Sequence, residues 1–199
     1  VLAETNAFTL EAELDELDGL PTSARDAARE QAKSMGKGDK FVFTLQKPSM
    51  LPLLTYAQDR SMREKIYKAY LARGNNGNEY DNKELIVKLM ALRIEKAKLL
   101  GYENSAQMIL ADKMAGDPKT VDTFLAGIMA PAVKRAKEEI VDMQAVMNED
   151  IAAGLLPEGS VIEPWDWAYY AEKVRKAKYA LDEEQTKPYF KMENVREGV

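Results

Sequence analysis

EPWDWAYYAEKVR, at residues 163–175, is the stretch around which we expect the fold to be organised, and it contains both tryptophans of the 199-residue chain. Pro164 suits the first turn of a helix, so we predict that a helix begins there and runs on towards Phe190. On such a helix, spacings of three and four residues place one apolar stripe on a single side, and it consists of Trp167, Tyr170, Val174, Ala177 and Leu181. Because such a stripe must be buried against another element, we predict that Trp167 lies in the core.

The composition is that of a soluble globular protein, with 46% hydrophobic and 31% charged residues. A net charge of -5 and a pI near 5.1 argue against nucleic-acid binding, which depends on clustered Lys and Arg. No apolar run approaches the roughly 18 residues of a membrane-spanning helix. Since the first residue is Val1 and not Met, we expect the natural N-terminus and any targeting signal to lie upstream, which leaves the compartment open between cytoplasm and periplasm.

The chain contains no histidine and no cysteine. These two residue types supply most ligands of protein zinc sites and the bases or nucleophiles of the common hydrolytic triads. Any chemistry carried out by this chain would therefore have to use carboxylates, lysines or tyrosines. We assign no catalytic residue and no metal ligand to it, and the substrate-binding residues stay unassigned.

Residues 1–47 are predicted to form a small strand-helix-strand segment. Phe8, Leu10 and Ala12 alternate within a first predicted strand from Asn6 to Glu13, and a second strand covers residues 40–45. The alanine-rich helix between them begins near Thr22 and ends at the glycines of residues 36 and 38. We expect the two strands to pair as an antiparallel ribbon.

Residues 48–199 are predicted to be helical throughout. The first expected helices are Met50 to Ala57, one capped by Asp59 or Ser61, one from Asp81 or Asn82 with Leu85, Leu89, Leu92 and Leu99 on one face, and a short one capped by Asn104. They are followed by a long helix that Asp117 caps and that runs from Pro118 to Ala153, the helix at Pro164, one capped by Asp182 with Gln185, and the start of another from Glu193. The fold class is thus mainly α, a multi-helix array with a small antiparallel ribbon near the N-terminus.

The long helix has a stripe of apolar residues at Val121, Leu125, Ile128, Ala132, Ala136, Ile140, Met143, Met147 and Ile151. Pro131 lies inside it, and the residue four positions earlier is Gly127. A proline ring crowds the carbonyl of that earlier residue and removes one hydrogen bond. We therefore expect a kink between Gly127 and Pro131 within one continuous helix.

Three patterns allow a functional interpretation beside a structural one. The aromatic residues at positions 165, 167, 169 and 170 could line a ligand groove, although core packing is the commoner fate of such a stripe. Glu138 with Glu139, and Glu183 with Glu184, could be paired catalytic carboxylates, but adjacent helical residues point apart, which favours a solvated face. The loop at residues 74–78 has residues typical of a calcium loop, yet lacks the ligand order of an EF-hand.

Several segments together resemble the zinc metallopeptidases of the thimet oligopeptidase family, and most closely the bacterial peptidyl-dipeptidases, also called dipeptidyl carboxypeptidases. The resemblance covers nearly the whole chain in order. It is carried by GLP at residues 19–21, FTLQKP at 43–48, DNKE at 81–84, LLGY at 99–102, KMA at 113–115, WDWAYYAE at 165–172, YALDE at 179–183 and KPYF at 187–190.

In that family a His-Glu-x-x-His helix and a further Glu bind the zinc, and no such motif occurs here. The resemblance thus implies that this chain is a non-catalytic part of a larger zinc peptidase, whose remaining catalytic region is its partner and whose substrates are short peptides. It would supply helical scaffold and channel wall to an enzyme that removes C-terminal dipeptides, or, as an alternative, to an oligopeptidase that cleaves internal bonds. A stand-alone helical module that binds a peptide or protein is the other hypothesis, and the reading frame after Val199 distinguishes it.

Overall fold

The computed structural model describes residues 2–179, 189 and 192–197. The elements are α1 (Leu2–Ala7), β1 (Leu10–Ala12), a 3-10 turn (Leu14–Glu16), α2 (Thr22–Ser34), β2 (Phe41–Phe43), α3 (Lys47–Tyr56), α4 (Arg60–Leu71), α5 (Lys83–Leu99), α6 (Ser105–Leu110), α7 (Pro118–Ala152), α8 (Trp167–Tyr179) and α9 (Met192–Glu197). The mainly α class is confirmed. Within this part of the chain no helix is both long and apolar enough to cross a membrane.

The predicted antiparallel ribbon is confirmed, with Leu10 opposite Phe43 and Ala12 opposite Phe41. The first strand is shorter than predicted, because residues up to Ala7 belong to α1. All three residues of β2 are buried, and α2 packs on this strand with the small side chains of Ala28 and Ala32 buried. The division of the chain after residue 47 stays a prediction.

α3 lies at the centre of the larger core and packs against β2, α2, α4 and α8. Its composition explains this position, because apolar residues surround the helix and Met50, Leu53 and Leu54 are buried. Pro48 stands in its first turn, where a missing N–H costs nothing. α4 follows directly, and the predicted cap is confirmed, since the Asp59 carboxylate accepts hydrogen bonds from the N–H groups of Ser61 and Met62.

A smaller core joins the end of α7 to α8. Its buried members are Met143, Met147, Tyr169 and Tyr170. Earlier along α7 the predicted apolar stripe is largely exposed, and so are the leucines predicted to share a face of α5, of which Leu85 is 62% and Leu99 81% exposed. α7 is one continuous helix across Pro131, as predicted; the kink itself stays a prediction.

The prediction for α8 is wrong in two respects. The helix begins at Trp167 and not at Pro164, because residues 164–166 form a turn closed by a hydrogen bond from the N–H of Asp166 to the carbonyl oxygen of Glu163. Trp167 is 38% exposed, since the buried side of the helix passes through Asp166, Tyr169 and Tyr170. Ala177 is exposed as well. Leu181 and the helix predicted at Asp182 with Gln185 lie outside the described residues.

Candidate functional site

The start of α8 is anchored by a carboxylate that has no exposed surface, that of Asp166. Its Oδ2 accepts hydrogen bonds from Arg60 Nη2 at 2.7 Å, Arg60 Nε at 3.0 Å and the backbone N–H of Glu163 at 3.1 Å. Its Oδ1 accepts one from Arg63 Nη2 at 2.9 Å. We call these three side chains, Asp166, Arg60 and Arg63, the Asp166 network. It joins α4 to a turn about a hundred residues further along the chain.

Arg63 is 1% exposed, which is unusual for an arginine. Its Nη1 donates to the carbonyl oxygens of Ala57 at 2.6 Å and Gln58 at 3.0 Å, and its guanidinium carbon lies 4.2 Å from the ring centre of Tyr169. These contacts replace part of the hydration that the buried cation loses, and its Nε has no hydrogen-bond partner among the described residues. Arg63 therefore binds the end of α3, the start of α4 and α8 together.

Arg60 is partly exposed and donates a further hydrogen bond from Nη2 to the carbonyl oxygen of Val161 at 2.9 Å. Its hydrogen bond to Asp166 raises the pKa of the Arg60 guanidinium. Both oxygens of Asp166 are occupied by arginine donors that remain charged at all physiological pH values. The Asp166 network consequently positions helices and has no carboxylate oxygen left over to act as a general base.

A second polar cluster lies one turn further along α8. Asp150 of α7 accepts hydrogen bonds from the Tyr170 hydroxyl at 2.8 Å and from Lys173 Nζ at 2.7 and 2.9 Å. Burial, and the hydrogen bond to the Asp150 carboxylate, raise the pKa of the Tyr170 hydroxyl. Tyr170 is therefore neutral at physiological pH, and it serves as a hydrogen-bond donor that fixes α8 on α7.

These two clusters border a crevice of about 280 Å³. Its walls are acidic, and the carboxylates around it are those of Asp15, Glu16, Asp18, Asp59 and Asp150. Asp59 caps α4, Glu16 accepts from the N–H of Glu13, and Asp150 bonds to Tyr170 and Lys173, so three of the five already have partners. Across the described residues no group of three or more His, Cys, Asp or Glu side chains is arranged to hold a metal ion.

Trp167 separates two other crevices, of about 250 and 360 Å³. The first lies between α7 and α8 and contains charged side chains that are already paired: Lys178 with Asp142 at 2.6 Å, Arg135 with Glu139 at 3.1 Å, and Arg175 with Glu172 at 2.7 Å. The hydrogen bond from Lys178 lowers the pKa of Asp142. The second crevice is mainly apolar and includes Tyr67, Ile140 and Ile162.

The four aromatic residues predicted as core or groove have different environments. Tyr169 and Tyr170 are buried, with exposed fractions of 8% and 1%, whereas Trp167 faces the two crevices. Trp165 is half-buried, with Lys68 Nζ 5.0 Å from its ring centre and Tyr67 in edge-to-face contact. Of the two interpretations, core packing describes Tyr169 and Tyr170, whereas Trp167 lies in a groove.

The candidate carboxylate pair at Glu138 and Glu139 lies on the surface of α7, where both side chains pair with Arg135. This agrees with the interpretation as a solvated face. The pair at Glu183 and Glu184 lies outside the described residues.

At the candidate calcium loop, residues 75–78 are exposed and Gly74 is buried. The Asp81 carboxylate accepts from the N–H groups of Gly77 and Lys83 and pairs with Lys83 Nζ at 2.6 Å. The Lys83 contacts lower the pKa of Asp81 to about 2. This carboxylate therefore helps to close the loop, together with the hydrogen bond from the N–H of Asn82 to the carbonyl oxygen of Gly74.

The donor set of this chain does not fit a zinc ion. Protein zinc sites use His, Cys and a minority of carboxylate ligands, and the first two are absent from the sequence. No catalytic step through zinc can be derived from these residues.

Sequence reasoning missed Arg63 and Asp166 as a pair. The signal that could have found Arg63 is its position on α4, next to Met62 and three residues before Ile66, both of which are buried. A charged residue within a buried helical face requires a partner. The identity of that partner could not be read locally, because 103 residues separate Arg63 from Asp166.

Comparison with known proteins gives one family. The profile of "Peptidase family M3" matches residues 53–199. Oligopeptidase A of Escherichia coli strain K12 is 37% identical over 179 residues, which are 88% of this chain and 25% of the relative. Dipeptidyl carboxypeptidase of Salmonella typhimurium is 35% identical over 184 residues, which are 92% of this chain and 26% of the relative. The chain thus spans about a quarter of the length of the relatives it matches.

Proposed function

The chain belongs to peptidase family M3, and we propose that it is the helical, non-catalytic part of a zinc-dependent peptidyl-dipeptidase that removes dipeptides from the C-terminus of short peptides. The observation that carries the proposal is the family match over residues 53–199, together with relatives named dipeptidyl carboxypeptidase at 34–35% identity. An oligopeptidase that cleaves internal bonds is the second candidate. It is supported by the relatives named oligopeptidase A, which are 35–37% identical.

The proposal places the zinc outside these 199 residues, because they lack histidine and cysteine. A catalytic zinc ion lowers the pKa of its bound water and polarises the scissile carbonyl. The ligands for it, and the general base, would come from the remaining part of the polypeptide. That part is the partner that we propose for this chain.

The contribution of these residues is mechanical and steric. The Asp166 network and the contacts of Asp150 hold α4, α7 and α8 in a fixed arrangement, so that the exposed Trp167 ring has a defined position. We assign to this ring and its two crevices the role of a channel wall that contacts peptide. A planar apolar ring packs against side chains of many kinds, which suits an enzyme acting on varied peptides.

The first test is the reading frame after Val199. A downstream His-Glu-x-x-His supports the enzyme, and a stop codon supports the stand-alone binding module. The next test uses the longer polypeptide with zinc and a short peptide that has a free C-terminus, with products identified by mass spectrometry. Successive loss of two residues from the C-terminus supports the peptidyl-dipeptidase, and a single internal cut supports the oligopeptidase.

The 199-residue chain is the control for both activities. We expect it to hydrolyse no peptide and to lose zinc on dialysis against a mild chelator, because carboxylates without imidazole or thiolate are weak zinc ligands. Stoichiometric zinc that survives this dialysis would contradict the placement of the metal outside the chain.

A further inference from the structure

A large apolar surface is left uncovered on one part of the molecule. It comprises α5, α6 and residues 118–140 of α7, which together we call the apolar arm. On α5, Val87 is 70% and Ile86 57% exposed, and on α7 Phe124 is 66% and Met129 61% exposed. Monomeric proteins rarely leave contiguous apolar patches larger than a few hundred Å² in water, so a surface of this kind marks an interface.

The distribution of residues around α5 shows that this helix is made for burial on more than one side. Four of its seven charged residues, Glu84, Lys88, Glu95 and Lys98, share one side of the helix, whereas Lys83, Arg93 and Lys96 lie at other angles. Large apolar residues occupy most of the remaining circumference. A helix that is apolar over so wide an arc belongs in the interior of a larger protein, yet Ala97 is the only buried residue that α5 has among those described.

α7 shows where the covered part of the molecule ends. From Met143 onwards its large apolar residues are buried or partly buried in the core shared with α8, whereas Ile128 is 49% and Val133 44% exposed. The C-terminal part of α7 therefore has a packing partner in α8, whereas the large apolar side chains of its N-terminal part are mostly exposed. α6 packs against both α5 and α7, which keeps the exposed surfaces of the two helices in one region.

We propose that the apolar arm is the docking surface for the remaining part of the same polypeptide, which covers the apolar arc of α5 and the first two thirds of α7 and leaves the polar side of α5 in water. This rests on the proposed function, which places the chain in a longer peptidase. About three quarters of the length of the matched relatives lies outside the aligned region. The proposal assigns the role of occupant to the corresponding part of the longer polypeptide. The occupant is a largely apolar surface that includes a polar partner for Arg93, because a buried unpaired charge would be costly.

The experiment compares one substitution in two polypeptides. Leu89→Asp places a charge within the apolar arc, at a side chain that is 48% exposed in this chain. Ala91→Asp is the matched control, because it makes the same charge change on the polar side of the same helix, at an exposed residue. Thermal unfolding of both variants is measured in the 199-residue chain and in the longer polypeptide.

We expect Leu89→Asp to lower the Tm of the longer polypeptide by roughly 5–10 °C relative to Ala91→Asp. In the 199-residue chain the two variants should melt at the same temperature. If the longer Leu89→Asp variant fails to fold while Ala91→Asp folds, the milder Leu89→Ala should still lower the Tm in that polypeptide alone. Equal melting of all variants in the longer polypeptide would overturn the proposal.

A second copy of the chain is the competing occupant. Sedimentation would then show a dimer of the 199-residue chain that Leu89→Asp dissociates, with no effect on the longer polypeptide, and this result would also overturn the proposal. Thermal unfolding does not depend on zinc or on hydrolysis. A longer polypeptide that shows the loss at Leu89 but cleaves no peptide would therefore reject the proposed function and keep the docking surface.

Discussion

Asp166 is the residue at which two distant segments of the chain meet, because its partners Arg60 and Arg63 precede it by 106 and 103 residues. A fully buried carboxylate is stable in the fold only while its charge is matched. Each of its oxygens is bound by an arginine, and Arg63 is itself 1% exposed. The same geometry that stabilises the pair makes each member costly to remove.

We expect Asp166→Asn to lower the free energy of unfolding of the 199-residue chain by about 3–5 kcal/mol, since it leaves two arginines without a counter-charge. Urea or thermal unfolding followed by circular dichroism measures this. The control is Asp142→Asn, which removes an equivalent carboxylate from an exposed ion pair with Lys178 and should change stability little. Similar effects of the two substitutions would show that the Asp166 network is not a major source of stability.

Trp167 and Tyr170 differ in burial although both belong to the stripe predicted from the sequence. Tyr170 is 1% exposed, so Tyr170→Ala should cost about 3–5 kcal/mol of unfolding free energy, as truncation of a buried aromatic side chain does. Trp167→Ala should cost clearly less, because part of the ring already contacts water. Denaturant titration of both variants measures the difference. A larger loss for Trp167→Ala than for Tyr170→Ala would place the tryptophan in the core after all.

At the scale of the element, α7 carries two residues that weaken a helix, Gly127 and Pro131. Pro131 removes a backbone donor, and Gly127 has no side chain to restrict the unfolded chain. Both lie in the exposed part of the helix, where no tertiary contact compensates for them. The part of α7 packed against α8 is stabilised by tertiary contacts. The exposed part depends more strongly on the intrinsic helix propensity of its residues.

Gly127→Ala should stabilise the chain by up to about 1 kcal/mol, because a methyl group added there meets no atom within 4 Å and alanine favours the helix. Gly154→Ala is the matched control. It also has open space around it, but its φ is +76°, which an alanine adopts only with strain, so this substitution should destabilise. Thermal melting of the two variants should shift in opposite directions, and a decrease in Tm for Gly127→Ala would contradict the argument.

At the scale of the whole molecule, the chain forms two hydrophobic cores, and the segment between them in sequence has little buried surface. Residues from the ribbon to α4 share one core, and α8 with the end of α7 forms a second one beside it. The Asp166 network joins α4 to α8. Between them in sequence lies the apolar arm, whose helices gain little from tertiary burial.

We expect amide hydrogen exchange in the 199-residue chain to be faster over α5 than over α3, because α5 buries only Ala97 among the described residues and helices with little tertiary burial are marginally stable. Mass spectrometry of peptic peptides from residues 83–99 and 47–56 makes the comparison. In the longer polypeptide the exchange over α5 should slow markedly. Equal protection of α5 and α3 in the short chain would mean that the arm is stabilised by contacts other than burial.

Much of the helical architecture was determined by the sequence itself. Helix positions depend on local signals, and Asp59, Asn104 and Asp117 cap α4, α6 and α7 where the sequence predicted. The alternation of apolar residues in the first strand and the absence of histidine and cysteine are equally local. These features need no knowledge of which element packs against which, so they could be predicted.

The tertiary structure alone decided which side of each helix is buried. α8 turns Asp166, Tyr169 and Tyr170 inward and leaves Trp167 at the edge, because α4 supplies two arginines that fit a carboxylate. The leucines of α5 have the right spacing for a core and nevertheless remain exposed. Periodicity shows that a face is apolar, but burial depends on a partner surface, and the partner of Asp166 lies about a hundred residues away along the chain.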